Sequence, residues 1–175
     1  MTHARAAKRA PMTLDEGKEK FIQTWGTVGS EWGVNRTMAM IHALLLVSPE
    51  ALSAEEVMEQ LGISRGNANM NLRALIDWGL VYKALKAGER RDFFVAEKDM
   101  YKVIKAVITQ RKKRELEPLL RVLDELSQVD GDSDDERQFK EVVRDIKLFS
   151  GKADSALDAL VNSNADWLVS RVMWM

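Results

Sequence analysis

The richest recognition chemistry in this 175-residue chain lies in ten consecutive residues, Ser64-Arg-Gly-Asn-Ala-Asn-Met-Asn-Leu-Arg73. A guanidinium is a planar fork that fits O6 and N7 of guanine, and a carboxamide fits N6 and N7 of adenine. Helical spacing places Ala68, Leu72, Leu75 and Ile76 on one apolar face and leaves Arg65, Asn67, Asn69 and Arg73 off it. Ser64 is a residue type that caps a helix start, and the free amides of that end favour phosphate. Gly66 removes a side chain where backbone could approach a groove. Met70 offers no hydrogen bond to a base edge but can touch a thymine methyl. These residue types, in this order, suit the reading of double-stranded DNA.

Charge concentrates in the same region. From Ser64 to Arg91 there are six cations (Arg65, Arg73, Lys83, Lys86, Arg90, Arg91) against two anions (Asp77, Glu89), while the whole chain is −1. Lys86, Arg90 and Arg91 fall around the turn glycine Gly88, between the β-favouring runs Leu80–Lys86 and Asp92–Ala96. A hairpin with a basic tip is suited to phosphates or a minor groove. Taken singly, an asparagine-rich helix face or a basic turn is only a solvated surface; the order of the two is what points to DNA.

The elements that must position these residues follow from pattern. Ser53 with Glu56 forms a capping box ahead of Val57, Met58 and Leu61, and Gly62 closes that short helix. Gly62-Ile63 then makes the tight connection of a helix-turn-helix. Upstream, Met38, Ile41, Leu44, Leu45 and Val47 make a buried stripe ended by Ser48-Pro49. A first helix opens with a Thr13–Glu16 capping box and carries Phe21, Ile22, Trp25, Val28 and Trp32. Gly26 and Gly29 inside it read as close backbone packing against another helix. The string Gly26-Thr-Val-Gly29 also matches an RNA-binding GxxG loop, but such a loop should interrupt helices rather than continue an apolar period.

Downstream, Met100 to Leu126 is a long helical pattern with Pro118 inside it, so a kink or a fresh start is expected there. Ser133 with Glu136 restarts a helix after an acidic stretch, Gly151 is expected to break it, and a last stretch holds Leu157, Leu160, Trp167 and Leu168. The reading is mainly α with a small β-hairpin wing. It comprises a basic arm (1–13), an N-terminal helix (14–33) and a winged helix-turn-helix domain (34–97). A long connecting and dimerisation helix (98–129), an acidic linker (130–136) and C-terminal helices (137–175) complete it.

Other chemistries lack their residues. There is no Cys, which excludes disulfides, thiolate zinc sites and cysteine catalysis, and the two His, His3 and His42, form no cluster. No Gly-rich phosphate loop and no His-Glu-x-x-His occurs. His42, within the apolar run, reads as a partly buried, hydrogen-bonded core residue. No cofactor, metal or enzymatic activity is expected. The longest apolar run, Ala43–Val47, is five residues, against the roughly 20 that a spanning helix needs. With no hydrophobic run at the N-terminus, a cytoplasmic protein without membrane contact is expected.

The segments Trp25–Met38, Leu52–Val57, Ile63–Leu80 and Gly88–Arg91 together resemble the GbsR-like branch of the MarR superfamily of winged helix-turn-helix regulators. The resemblance covers roughly residues 14–120 and is most specific in the asparagine-rich helix. It implies a dimeric transcriptional regulator, usually a repressor, with Ser64, Arg65, Asn67, Asn69 and Arg73 as DNA readers. Met70 departs from the polar or basic residue that many relatives carry there. Some relatives answer to choline or other osmoprotectant-related ligands.

Two expectations go further. Apolar stripes outside the winged domain call for a second copy as cover, hence a homodimer on a pseudo-palindromic operator. A small-molecule effector, choline-like by the family likeness, is expected where the winged domain meets the dimer helices. Phe21, Trp25, Trp32, Trp78 and Tyr101 are its candidate lining, because aromatic faces attract quaternary ammonium groups. Against this, an aromatic stripe at helical spacing is ordinarily core. The rival to DNA binding is a winged helix used only for protein contacts.

Overall fold

The computed structural model describes residues 11–163. Arg5, Lys8 and Arg9 of the basic arm, and Trp167 and Leu168, lie outside them. The chain divides into two compact units, parting between Lys98 and Asp99.

In the first unit, Thr13 caps α1 (Leu14–Glu31). Its hydroxyl accepts from the Glu16 amide, while the Glu16 carboxylate accepts from the Thr13 backbone N–H at 2.8 Å. That reciprocal bonding, the backbone N–H first and the hydroxyl second, holds the Glu16 carboxyl below its ordinary pKa. Helix α1 packs on α2 (Arg36–Val47), and its glycines let the two helices come close. A Cβ built on Gly26 would lie 2.6 Å from Met40 Cγ, and one on Gly29 would lie 2.6 Å from Ala39 Cβ. A side chain at Gly26 would need the flexible Met40 side chain to shift, whereas one at Gly29 meets Ala39 Cβ, which moves only with its backbone. Gly26-Thr-Val-Gly29 is thus helix, not a nucleic-acid loop. The expected stripe is corrected too: Ile22 is buried, but Val28 and Trp32 face water.

Helix α2 is the centre of this unit, with Met38, Ala39, Ile41, His42, Ala43, Leu44 and Leu45 all buried. Against it lie β1 (Leu52–Ser53), α3 (Ala54–Leu61), α4 (Arg65–Asp77), β2 (Val81–Ala84) and β3 (Phe93–Ala96). Phe93, Ile41, Leu45, Leu72, Leu75, Val57 and Val81 are its fully buried large side chains. Each contributes about 1.5–3 kcal/mol by leaving water. The strands form an antiparallel sheet of order β1-β3-β2, with Val81 opposite Ala96 and Ala84 opposite Phe93. Strand β1, two residues pairing Leu52 with Phe94, is an addition to the expected hairpin.

The second unit contains α5 (Met100–Arg111), a single π turn (Lys112–Leu116), α6 (Glu117–Leu126) and α7 (Asp134–Asn162). Pro118 explains the π turn, because it has no N–H to donate to the carbonyl one turn back and its ring crowds that carbonyl. The helix widens just upstream, where the Glu117 N–H donates to the Lys112 carbonyl five residues back. It then resumes as α6 with Pro118 in the first turn, where a missing donor costs least. Ser133 and Glu136 make the capping box of α7. This helix runs through Gly151 without a break, contrary to expectation. A glycine costs about 1 kcal/mol in a helix interior, which a long packed helix can absorb.

Candidate nucleic-acid interface

Helices α3 and α4 meet through Gly62, which sits at φ 63°, a conformation few other residues adopt without strain. Amides of Gly62 and Ile63 both return to the Met58 carbonyl, which sharpens the turn. Ser64 then caps α4, its hydroxyl accepting from the Asn67 amide. The buried face of α4 is Ala68, Asn71, Leu72 and Leu75. Ser64, Arg65, Gly66, Asn69, Met70 and Arg73 are exposed, and Met70 keeps 61% of its surface in water. Among the described residues Arg73 forms no ion pair, whereas Arg65 lies 3.9 Å from Glu55 on α3. That exposed pair is worth little and leaves Arg65 available to a stronger anion.

Asn67 behaves differently from its neighbours. It is half-buried, and both ends of its amide are engaged. Its Nδ2 donates to Thr37 Oγ1 at 3.5 Å, and its Oδ1 accepts from Asn71 Nδ2 at 2.7 Å. Thr37 belongs to α2, so this short polar chain ties the first turns of the exposed helix to the core. Neither Thr37 nor Asn71 was singled out from the sequence. The signal for Asn71 was present, since an amide at its position continues the apolar face of Ala68, Leu72 and Leu75.

The wing loop, residues 85–92, turns at Gly88 with φ 83°. Lys86 and Arg91 both fold onto the Phe93 ring, at 4.5 Å and 5.2 Å. Lys86 also lies 3.5 Å from Glu50, and Arg91 lies 3.2 Å from Glu89. Arg90 is exposed and, among the described residues, unpaired. At the wing's base Lys83 donates to Asp92 at 2.6 Å. Glu50 and Glu55, acids facing the cations of wing and helix, were missed by sequence reasoning; a partner 10 or 36 residues away leaves no local signature.

Of the aromatic residues proposed for an effector, Phe21, Trp25, Trp32 and Trp78 lie in the first unit. Phe21 and Trp25 meet at 5.3 Å between ring centroids, and Trp25 lies 6.4 Å from the His42 ring. Trp32 ends α1 in water, and Trp78, at the end of α4, is half-buried. Tyr101 is in the second unit, where its hydroxyl bonds Ser163 and Lys105 already stands 4.6 Å over its ring. His42 is buried as expected, but its Nε2 has no hydrogen-bond partner, which corrects the expectation of a bonded imidazole. Burial pushes its pKa down to about 4, so it is neutral at pH 7.

No three His, Cys, Asp or Glu side chains cluster to hold a metal among the described residues. No helix among them is long and apolar enough to cross a membrane.

The first unit is a winged helix-turn-helix preceded by one extra helix, and the chain as a whole is mainly α with a small antiparallel sheet. A solved crystal structure of a transcriptional regulator has the same fold, with a TM-score of 0.62 at 24% identity over 82% of this chain and 95% of that one. The HTH-type transcriptional repressor GbsR of Bacillus subtilis (strain 168) is 23% identical over 112 residues, or 64% of this chain. The match spans 62% of that repressor's length, and no protein-family model matches the chain. The resemblance to GbsR-like regulators is therefore carried by a characterised relative as well as by the residues quoted above.

Proposed function

We propose that this chain is a DNA-binding transcriptional regulator, a repressor that occupies a pseudo-palindromic operator as a homodimer in the cytoplasm. The observation that carries the reading is the exposed surface of α4. Arg65, Asn69, Met70 and Arg73 stand in water on a helix fixed from behind by Ala68, Leu72 and Leu75. A rigid helix with an exposed row of forks is what a major groove accepts, and a basic wing beside it suits the flanking backbone. The likeness to GbsR and to a solved regulator supports the same reading.

Selection of bound fragments from a random-sequence duplex pool, followed by titration across a salt series, tests it. Affinity should fall steeply with salt because neutralised phosphates release counterions. A flat response, or no enriched sequence, returns the chain to the protein-contact class.

Dimerisation is supported by the second unit. Phe139, Val142, Ile146 and Phe149 recur at three- and four-residue steps along α7 and are all exposed. This stripe is suited to a second copy related by two-fold symmetry. Among the proposed effector residues, Phe21 and Trp25 offer the adjacent ring faces that a choline-like cation would use. Calorimetry with choline and betaine, then operator release at the same concentrations, tests this; no heat and no release would remove the effector and leave DNA binding standing.

A further inference from the structure

Leu85, the residue after β2, is 96% exposed, the largest fraction for any large apolar side chain among the described residues. It stands at the head of the wing loop. Its neighbours there are not equally free. Lys86 and Arg91 are drawn back against the Phe93 ring and tied to Glu50 and Glu89. A backbone bond from the Glu89 N–H to the Lys86 carbonyl, 3.1 Å, closes the turn between them. What the tip presents to a partner is therefore Leu85 together with the unpaired Arg90.

An isolated exposed leucine is ordinary on a protein surface. This one is distinguished by company: an apolar side chain on the same loop as an unpaired guanidinium, the loop being braced by two cation–ring contacts. Proteins that enter the minor groove use that combination. Arginine meets the negative potential and an aliphatic wedge slips between base steps, partly unstacking them.

We propose that Leu85 is such a wedge, entering the minor groove next to the step read by α4, with Arg90 on the adjoining phosphates. The proposal rests on the DNA-binding reading above. It separates two contributions within the wing. Arg90 releases counterions, whereas Leu85 releases none and acts by burying carbon and deforming the duplex.

The test uses the full chain and a duplex recovered from the random-sequence pool, with 2-aminopurine placed in turn at each step flanking the α4 footprint. Its fluorescence rises when a base unstacks. The wild-type chain should raise it at one flanking step in each half-site. Leu85→Ala should abolish that rise and weaken binding about tenfold with the salt slope unchanged. Leu85→Phe should restore the rise. Arg90→Ala should lower the slope by about one unit and keep the rise. Because Leu85 is exposed, its variants should melt with the wild type. If the wild-type chain binds without unstacking any flanking step, or Leu85→Ala binds and fluoresces as wild type does, the wedge is overturned while DNA binding stands. If the pool yields no bound duplex, both readings fall.

Discussion

Asn71 donates from Nδ2 to Oδ1 of Asn67 at 2.7 Å and, from the same nitrogen, to the Asn67 backbone carbonyl at 2.8 Å. One member of the pair is 3% exposed and the other borders the exposed face of α4. The amide that sequence alone assigns to base reading is held by an amide in the core.

Asn67 and Asn69 should therefore separate. Asn71→Ala should lower stability by about 1–3 kcal/mol, because Asn67 loses its donor in a partly dry setting. Asn67→Ala should destabilise in the same way and weaken all operators alike. Asn69→Ala should stay within about 0.5 kcal/mol of wild type in urea melts and relax the preference at one base pair. Loss of preference at a single step with Asn67→Ala would return that residue to the readers.

The arginines should divide by place. Arg65→Ala removes a fork at the head of α4 and should cost about 1–3 kcal/mol on the preferred duplex with relaxed specificity. Arg90→Ala should weaken preferred and random duplexes equally. Identical profiles across a panel of single-base operator variants would erase the distinction.

Local chemistry is legible in this sequence. The pairs Thr13–Glu16, Ser53–Glu56 and Ser133–Glu136 announce helix starts because both halves of each cap lie within one turn. Distant relationships leave no such mark. Strand β1 is two residues long, too short for any period, and exists because Phe93 and Phe94 offer it an edge. Thr37 is 30 residues from Asn67, and only the packing of α2 on α4 brings them together. Exposure was also hidden: Leu85 and Trp32 look like core residues by type. Gly151 does not break α7, because propensity is a small term beside the packing of a long helix.

Two glycines should respond oppositely to alanine. Gly29→Ala sets a methyl 2.6 Å from Ala39 Cβ, which cannot move without its backbone, and should destabilise by about 1–3 kcal/mol. Gly151→Ala meets nothing within 4 Å and should stabilise by about 0.5–1 kcal/mol. Thermal melts of the two variants check the signs.

His42 gives a pH dependence. Its folded pKa, about 4, lies below the unfolded value near 6.5, so the unfolded chain binds the proton first as pH falls. Its contribution is full above about pH 6.5 and is lost progressively down to about pH 4, by about 3 kcal/mol at most. His42→Leu should flatten the stability profile across that window. Urea titrations between pH 4 and pH 7 that run parallel for both chains would contradict this.

The α7 stripe should hold the dimer. Phe149 is 74% exposed, so Phe149→Glu should leave the unit folded while placing a charge in the proposed contact. Sedimentation at micromolar concentration should show the wild-type chain as a dimer and the variant shifted towards monomer. An unshifted variant would move the interface elsewhere.

The π turn at Lys112–Leu116 carries one residue more than an α turn needs. Each residue of an α-helix turns the chain by about 100°. Deleting one residue there would restore regular winding but rotate everything beyond it. Leu123, now buried, would leave its seat, and a neighbour of different size and polarity would take it. Substitution in this turn is a local matter; a change in its length is read along the whole of α6. This helix is therefore far more sensitive to insertion and deletion than to replacement, with Pro118 fixing where the extra residue must sit.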